Sequence, residues 1–310
     1  MDMASQGLEV EKRELPWFSK GLLPRLRSVI WAWRNQGDVN HITGDVHFLA
    51  FGLPKKRTIL TIHDLTILSR KKGLRRFLLK AFWFDLPLRR VSLVTVISEA
   101  TKRDLLTQCN VPEEKVVVIP DAVSRVYQPC PKSFNSECPE ILQIGSSEHK
   151  NLSRLVAALE GLRCRLHLVG NPSAGDLQKL VSSGIDHKIS SNLSEAEMYR
   201  AYCEADIVTF VSKKEGFGMP ILEAQWVERP VVTSNCSSMP EVAGEGACFV
   251  DPYDMRSIRS GFERVIRDKN YRDSLIEKGR KNRERFALCD VAEKYLRLYR
   301  RLGSDNKMAS

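Results

Sequence analysis

Long apolar runs are missing from these 310 residues: no uninterrupted stretch approaches 18 residues, so no segment is suited to cross a bilayer as a helix. The first thirty residues carry charges throughout and lack the apolar centre of a signal peptide. The eight cysteines, at positions 109, 130, 138, 164, 203, 236, 248 and 289, include no C-x-x-C pair and no histidine at zinc-site spacing. Scattered, reduced thiols of a cytoplasmic protein are therefore expected. No Asp-x-Asp pair occurs, and neither Gly-x-Gly nor Gly-Gly appears before residue 100.

What is present is ordinary in composition but basic in charge. Hydrophobic residues make up 43% and charged residues 28%, as in soluble globular proteins. Forty-eight Lys+Arg against 38 Asp+Glu leave a net charge of +10, which suits an anionic partner such as a nucleotide or a phospholipid surface. A nucleic-acid partner is not expected, because no recognisable binding module accompanies the charge.

Short β-branched runs alternate with longer amphipathic ones, the pattern of parallel sheets covered by helices. "RTILTIHDL" (57–65), "SLVTVIS" (92–98) and "KVVVIP" (115–120) predict buried strands, with helices over 73–89 and 99–109 between them. Residues 121–139 lose periodicity and gather Pro, Ser and Asn, as a linker does. A second series follows with "EILQIG" (140–145), "CRLHLVG" (164–170), "ADIVTFVS" (205–212) and "PVVTSN" (230–235). Ser194 and Glu197 form a capping-box pattern that opens a helix. Residues 254–302 predict helix with no further strand. The expected fold class is α/β: two Rossmann-like domains at 1–125 and 140–285, a linker at 126–139, and a helical tail at 286–310.

The segment "KKEGFGMPILEAQ" (213–225) follows an expected strand, where ligands bind in such sheets. Gly216 and Gly218 permit a sharp turn and close backbone approach. Pro220 suits the first helical position, and the helix N-terminus favours an anion such as phosphate. Glu215 can then accept from ligand hydroxyls near the anion, and Glu223, in the first helical turn, from the two hydroxyls of a ribose. The alternative is a tight strand–helix turn with a helix-favouring Glu.

Several ordered blocks extend this pattern. "ADIVTFVSKKEGFGMPILEAQWVERPVVTSNCSSMPEVAGEGACFVDP", with its E-x7-E pair, resembles the signature block of the group 1 (family 4) retaining glycosyltransferases. "TVISEATKRDLLTQCNVPEEKVVVIPDAVS", "ILTIHDL" and "ILQIGSSEHKNLSRLVAAL" resemble further segments of that family, so the similarity covers roughly residues 40–290. The resemblance implies a GT-B fold and sugar transfer from a nucleotide-diphosphate donor with retention at the anomeric carbon, in glycan, polysaccharide or glycolipid synthesis. It implies that Glu215 holds the donor sugar, Gly218 and Met219 support the departing diphosphate through their amides, Lys150 neutralises it, and Glu223 binds the ribose. Ser146, Gly216, Phe217 and Leu222 complete the implied donor site, and His63 faces the sugar from the first domain. Standing alone, His63 is equally a strand-end residue satisfied by backbone. No cofactor and no metal are expected, with protein cations replacing a divalent ion.

The departures are specific. Most members place an Arg where Ser146 stands, so one cation is lost, and His149 replaces it only when protonated. The opening "MDMASQGLEVEKREL" resembles material leading into a second strand, so the first strand and its Gly-rich loop are expected to be lacking and the first domain incomplete. A GT-B protein with other sugar-nucleotide chemistry, such as epimerisation, and a non-catalytic partner or inactive remnant are the other readings. The stretch 69–90 interleaves cations with Phe77, Phe82, Trp83 and Phe84. Its apolar stripe is expected to turn into the first domain; the alternative is peripheral contact with an anionic membrane, which would bring the protein to a lipid-linked acceptor.

Overall fold

Most of the β-branched runs form strands buried on both faces, as parallel sheets between helices require. The computed structural model describes residues 9–69 and 71–307, and the first eight residues of the opening segment lie outside them. The chain divides into two units: one holds the residues up to Asp121 together with those from Leu288 onward, the other Ala122–Ala287.

In the first unit, α1 (Leu22–Arg34) precedes four parallel strands, β1 (Asn40–Ile42), β2 (Thr58–Ile62), β3 (Leu93–Val96) and β4 (Val116–Val118). They lie side by side in chain order, and among the described residues no strand precedes β1. Strand alternation splits the sheet into two faces. Leu60, Ile62, Val94 and Val96 pack with Phe48, Phe84, Leu88 and Leu105. Ile59 and Leu93 pack instead with Leu302 of the last helix, α11 (Leu288–Lys307). On that second face Thr61 meets Thr95 at 2.6 Å and His41 at 2.7 Å, and His41 reaches the Tyr299 hydroxyl at 2.7 Å.

The helix expected over 73–89 is interrupted. α2 (Gly73–Leu79) passes into a π-helical segment at Lys80–Asp85 before one closing turn at Leu86–Arg89. Pro87 has no N–H for the carbonyl four residues back, and that carbonyl, of Trp83, is taken by His47 Nδ1 at 2.8 Å. The apolar stripe does not turn in as a whole, which corrects the expectation for this stretch. Phe84 and Leu88 are buried, whereas Leu74, Phe77 and Phe82 are 71%, 65% and 59% exposed. α3 (Glu99–Gln108) follows β3 and is capped by Ser98, whose side chain accepts from the Thr101 amide.

The second unit is a six-stranded parallel sheet in the order β10-β9-β8-β5-β6-β7. Its strands are β5 (Glu140–Ile144), β6 (Arg165–Val169), β7 (Asp186–Ser190), β8 (Ile207–Phe210), β9 (Val231–Ser234) and β10 (Cys248–Val250). Helices α4 (Leu152–Leu159), α5 (Ala174–Ser182), α6 (Glu195–Glu204) and α7 (Met219–Val227) connect them. After α8 (Met239–Ala243) and β10, the long α9 (Met255–Arg267) and α10 (Lys269–Arg283) close the unit. The expected capping box at α6 is formed, with Ser194 and Glu197 bonded reciprocally. The chain order reverses between β5 and β8, so the segments leaving these two strands flank the switch point where such sheets bind ligands.

Arg229 ties this unit together. Its buried guanidinium donates to the carbonyls of Val227 (3.0 Å), Glu228 (3.3 Å), Cys130 (2.7 Å) and Cys203 (2.8 Å). Arg229→Ala removes a charged donor from several buried acceptors at once and is expected to destabilise the second unit by about 2–4 kcal/mol. Hydrogen exchange of the β8 amides reads this directly; unchanged protection would contradict it.

Candidate active site

The loop leaving β8 has no ladder to join, and hydroxyls from β9 and the segment after it take over its backbone bonding. Thr233 Oγ1 donates to the Phe210 carbonyl at 2.8 Å and Ser234 Oγ to that of Ser212 at 2.6 Å. Ser237 Oγ accepts from the Glu215 amide at 3.1 Å and donates to the Glu215 carbonyl at 2.8 Å. Ser238 Oγ donates to the Phe217 carbonyl at 2.5 Å, with the Glu215 carbonyl 3.1 Å away. The loop's other flank is held by the Lys213 amide, which donates to the His149 carbonyl at 2.8 Å. Glu215 is thereby fixed on both sides.

Lys150 reaches the same place from β5. Gly145 ends that strand at φ +84°, and a Cβ there would stand 2.9 Å from Lys150 Cε, so glycine makes room for the lysine stem. Asn151 adopts the left-handed conformation at φ 63°, and its Nδ2 donates to the carbonyls of Val211 (3.2 Å) and Pro252 (2.7 Å), locking this turn onto the β8 loop. Lys150 Nζ then pairs with Glu215 Oε1 at 2.8 Å and lies 4.4 Å from the Phe210 ring centroid. His149 Nε2 is 3.7 Å from the same oxygen. Ser146 lies beside this turn on the wall of a cavity of about 670 Å³, shared with Asn151, Arg154, Asn171, Ser173 and Lys213.

α7 begins with Gly218 as its cap residue at φ +123°, and no side chain caps it. Met219 occupies the first helical position and Pro220 the second, one place later than expected. Glu223 consequently stands in the second turn rather than the first. Phe217 packs edge-to-face on Phe286 at 5.8 Å, and Leu222 is fully buried, so both turn their side chains into the core and offer a ligand only backbone. Gly216 lies between the fixed carbonyls of Glu215 and Phe217.

The Glu223 carboxylate accepts from the phenol of Tyr202 on α6, and the phenol of Tyr127 in the segment before β5 acts on the same carboxylate. Burial pushes its carboxyl above the usual range; the two phenol hydrogen bonds pull it back, and Glu195 adds to the rise. Both tyrosine hydroxyls are in turn pushed up, by burial first and the neighbouring carboxylate second.

His63 belongs to the first unit, just beyond β2, and its Nε2 pairs with the Thr43 carbonyl at 2.7 Å. Asp64 Oδ1 accepts from the Thr66 amide at 2.6 Å. Burial raises the Asp121 carboxyl, with His63 acting in the opposite sense, and burial lowers His41 to about 4. Within the second unit, then, Glu215, Lys150, Gly216, Phe217, Gly218 and Met219 converge at the switch point. Sequence reasoning missed Gly145, Asn151, Ser237 and Ser238 as the parts that fix them, and Tyr127 and Tyr202 as partners of Glu223. The first four lie inside the blocks quoted above; the tyrosines carry no local signal.

Comparison with known proteins accounts for nearly the whole chain. Residues 131–282 match the family described as Glycosyl transferases group 1, and residues 6–125 match Glycosyltransferase Family 4. O-antigen chain mannosyltransferase B of Escherichia coli is 26% identical over 89% of this chain and 78% of its own length. The MMP alpha-(1->4)-mannosyltransferase of Mycolicibacterium hassiacum is 29% identical over 68% of this chain, which spans only 54% of that protein. Among solved structures, sucrose-phosphate synthase from Thermosynechococcus elongatus aligns with a TM-score of 0.77 at 18% identity, covering 91% of this chain and 79% of that one. Anabaena HepE, solved with UDP and glucose, aligns at 0.71 and 16% identity over 89% and 81%. No described helix is long and apolar enough to cross a membrane. Two parallel sheets with helices, a glycine turn at the switch point of the second and two adjoining family matches lead to one assignment: the chain belongs to the group 1 (family 4) glycosyltransferases and has their GT-B fold.

Proposed function

We propose that this chain transfers a hexose-type sugar, mannose being the one named in its relatives, from a nucleotide-diphosphate donor to a glycan or lipid-linked acceptor with retention at the anomeric carbon. The observation that carries this reading is the Lys150–Glu215 pair, set 2.8 Å apart beside the uncapped N-terminus of α7. The chemical requirement is to stabilise charge on the departing diphosphate, which preorganised donors and a fixed cation do well in a partly dry site. Lys150 exchanges its carboxylate partner for diphosphate oxygens, the backbone at Gly218 and Met219 adds the partial positive charge of the helix end, and Glu215, released, accepts from the sugar hydroxyls. Glu223 takes the ribose. In this reading the cationic work is done by the protein without a metal ion.

The exposed face of α2 supports a peripheral membrane partner. Leu74, Phe77 and Phe82 project among Lys71, Lys72, Arg75 and Arg76, the composition of an interfacial helix on an anionic surface. Such a contact would keep the protein beside a lipid-linked acceptor.

Three outcomes are expected. Incubated with UDP-, GDP- and ADP-sugars, the protein releases nucleoside diphosphate from one of them. Glu215→Ala and Lys150→Ala each reduce that release by roughly 10²–10³-fold with unchanged circular dichroism, and wild-type turnover in Glu215→Ala would remove it from the site. Phe77→Ser with Phe82→Ser abolishes sedimentation with phosphatidylglycerol vesicles; sedimentation equal to wild type would rule out this face.

The half-buried Glu223 also trades stability for binding. Its carboxyl holds a proton more tightly when folded than when unfolded, so stability is greatest below the ordinary carboxylate value and falls as pH rises through the raised one. Glu223→Gln does not titrate and is expected to melt about 2–4 °C higher than wild type at pH 8, with the gap closing toward pH 4. A gap that widens on acidification would contradict the assigned sign.

A further inference from the structure

The Glu223 carboxylate is not free to turn. Tyr202 is fully buried and Tyr127 nearly so, and their rings meet edge-to-face at 5.5 Å and 85°. Tyr127 is braced again by Tyr199 at 6.1 Å and 87°, and Tyr199 donates to the Gln128 carbonyl at 3.3 Å. Interlocked rings of this kind have no alternative rotamer without opening the core. The Tyr202 hydroxyl donates to the Glu223 carboxylate, and Tyr127, packed on the Tyr202 ring, acts on the same group.

An ionised carboxylate offers about four lone-pair sites. The two phenols, when both donate, occupy two of them. Two remain, the number that a pair of neighbouring hydroxyls can fill, and every acceptor site of the half-buried acid is then satisfied. With one phenol removed, the acid is left with an unfilled buried acceptor and freedom to rotate, both of which weaken its hold on the second hydroxyl.

We propose that Tyr202 and Tyr127 are positioning residues that set the Glu223 carboxylate to accept both hydroxyls of a nucleotide ribose, so that the site selects ribonucleotide over deoxyribonucleotide donors. This rests on the assignment of Glu223 to the ribose made above. Tyr127 lies in the segment predicted to be a linker, so a stretch without regular structure contributes to nucleotide selection.

The titratable groups acting on Glu223 are Tyr127, Tyr202 and Glu195. The phenols favour the ionised acid and Glu195 opposes it, so loss of a phenol moves the acid limb of ribonucleotide binding to higher pH.

The test is calorimetric titration of the whole chain with UDP, GDP and ADP and with the 2′-deoxy form of whichever binds. Wild type is expected to prefer the ribonucleotide by about tenfold or more. Tyr202→Phe, and separately Tyr127→Phe, is expected to bring that ratio down to about two- or threefold while affinity for the deoxynucleotide stays at the wild-type value, and to shift the acid limb of ribonucleotide binding upward. A merely structural role would weaken both ligands alike and leave the ratio intact. That result, in two phenylalanine variants that still fold, overturns the proposal while Glu223→Gln still abolishes the preference. If wild type shows no preference, or Glu223→Gln retains it, the ribose assignment itself fails and the proposal falls with it.

Discussion

Buried carbonyl groups must be bonded, and a loop that leaves a sheet at a ligand site has no neighbouring strand to do it. Everything else in the second unit's site depends on how this is met. Thr233, Ser234 and Ser238 are completely buried hydroxyl residues in places where an apolar side chain would pack as well. Their bonds to the carbonyls of Phe210, Ser212 and Phe217 hold the Glu215 loop as firmly as a further strand would. A glycine-rich turn is otherwise a soft place in a fold, because glycine has the most conformational freedom to lose. Here the freedom is removed by the adjacent segment and not by the turn itself.

The fixed loop gives meaning to the ion pair it carries. Two charges withdrawn from water gain little net stability from each other, and a lone partner left behind is strongly unfavourable. A Lys150–Glu215 pair is thus a poor choice for structure, and under the proposed function it is a good one for exchange, since an arriving anion with hydroxyls close by would supply new partners to both groups at once. Gly145 makes the arrangement feasible, since a side chain there would displace the lysine stem. The same logic separates Glu223, whose partner is the neutral phenol of Tyr202 and not a cation.

The legible parts of this fold were those set by local pattern. β2, β3, β4, β5, β6, β8 and β9 announce themselves as apolar, largely β-branched runs, and the capping box at α6 is a four-residue signature. β1, "NHI", and β10, "CFV", are three-residue strands without the valine run that marks the equally short β4, and β7, "DHKIS", is a largely exposed edge strand with hardly any apolar content. The break in the helix after α2 required knowing that His47 takes the carbonyl that Pro87 cannot use. In the site, Lys150 and the glycine turn were legible because the residues that define them are neighbours in sequence. The grip of Tyr202 on Glu223 spans 21 residues and two helices, and no spacing rule joins them.

The last helix has a consequence for how the molecule is made. α11 follows the complete second unit yet closes one face of the first sheet, with Leu302 on Ile59 and Leu93 and Tyr299 on His41. During synthesis the earlier-made strands therefore wait, one side uncovered, until the ribosome has passed the whole second unit and made α11. The unit that is translated later has all of its own elements in hand first, and the interval in between is when a chaperone has most to cover.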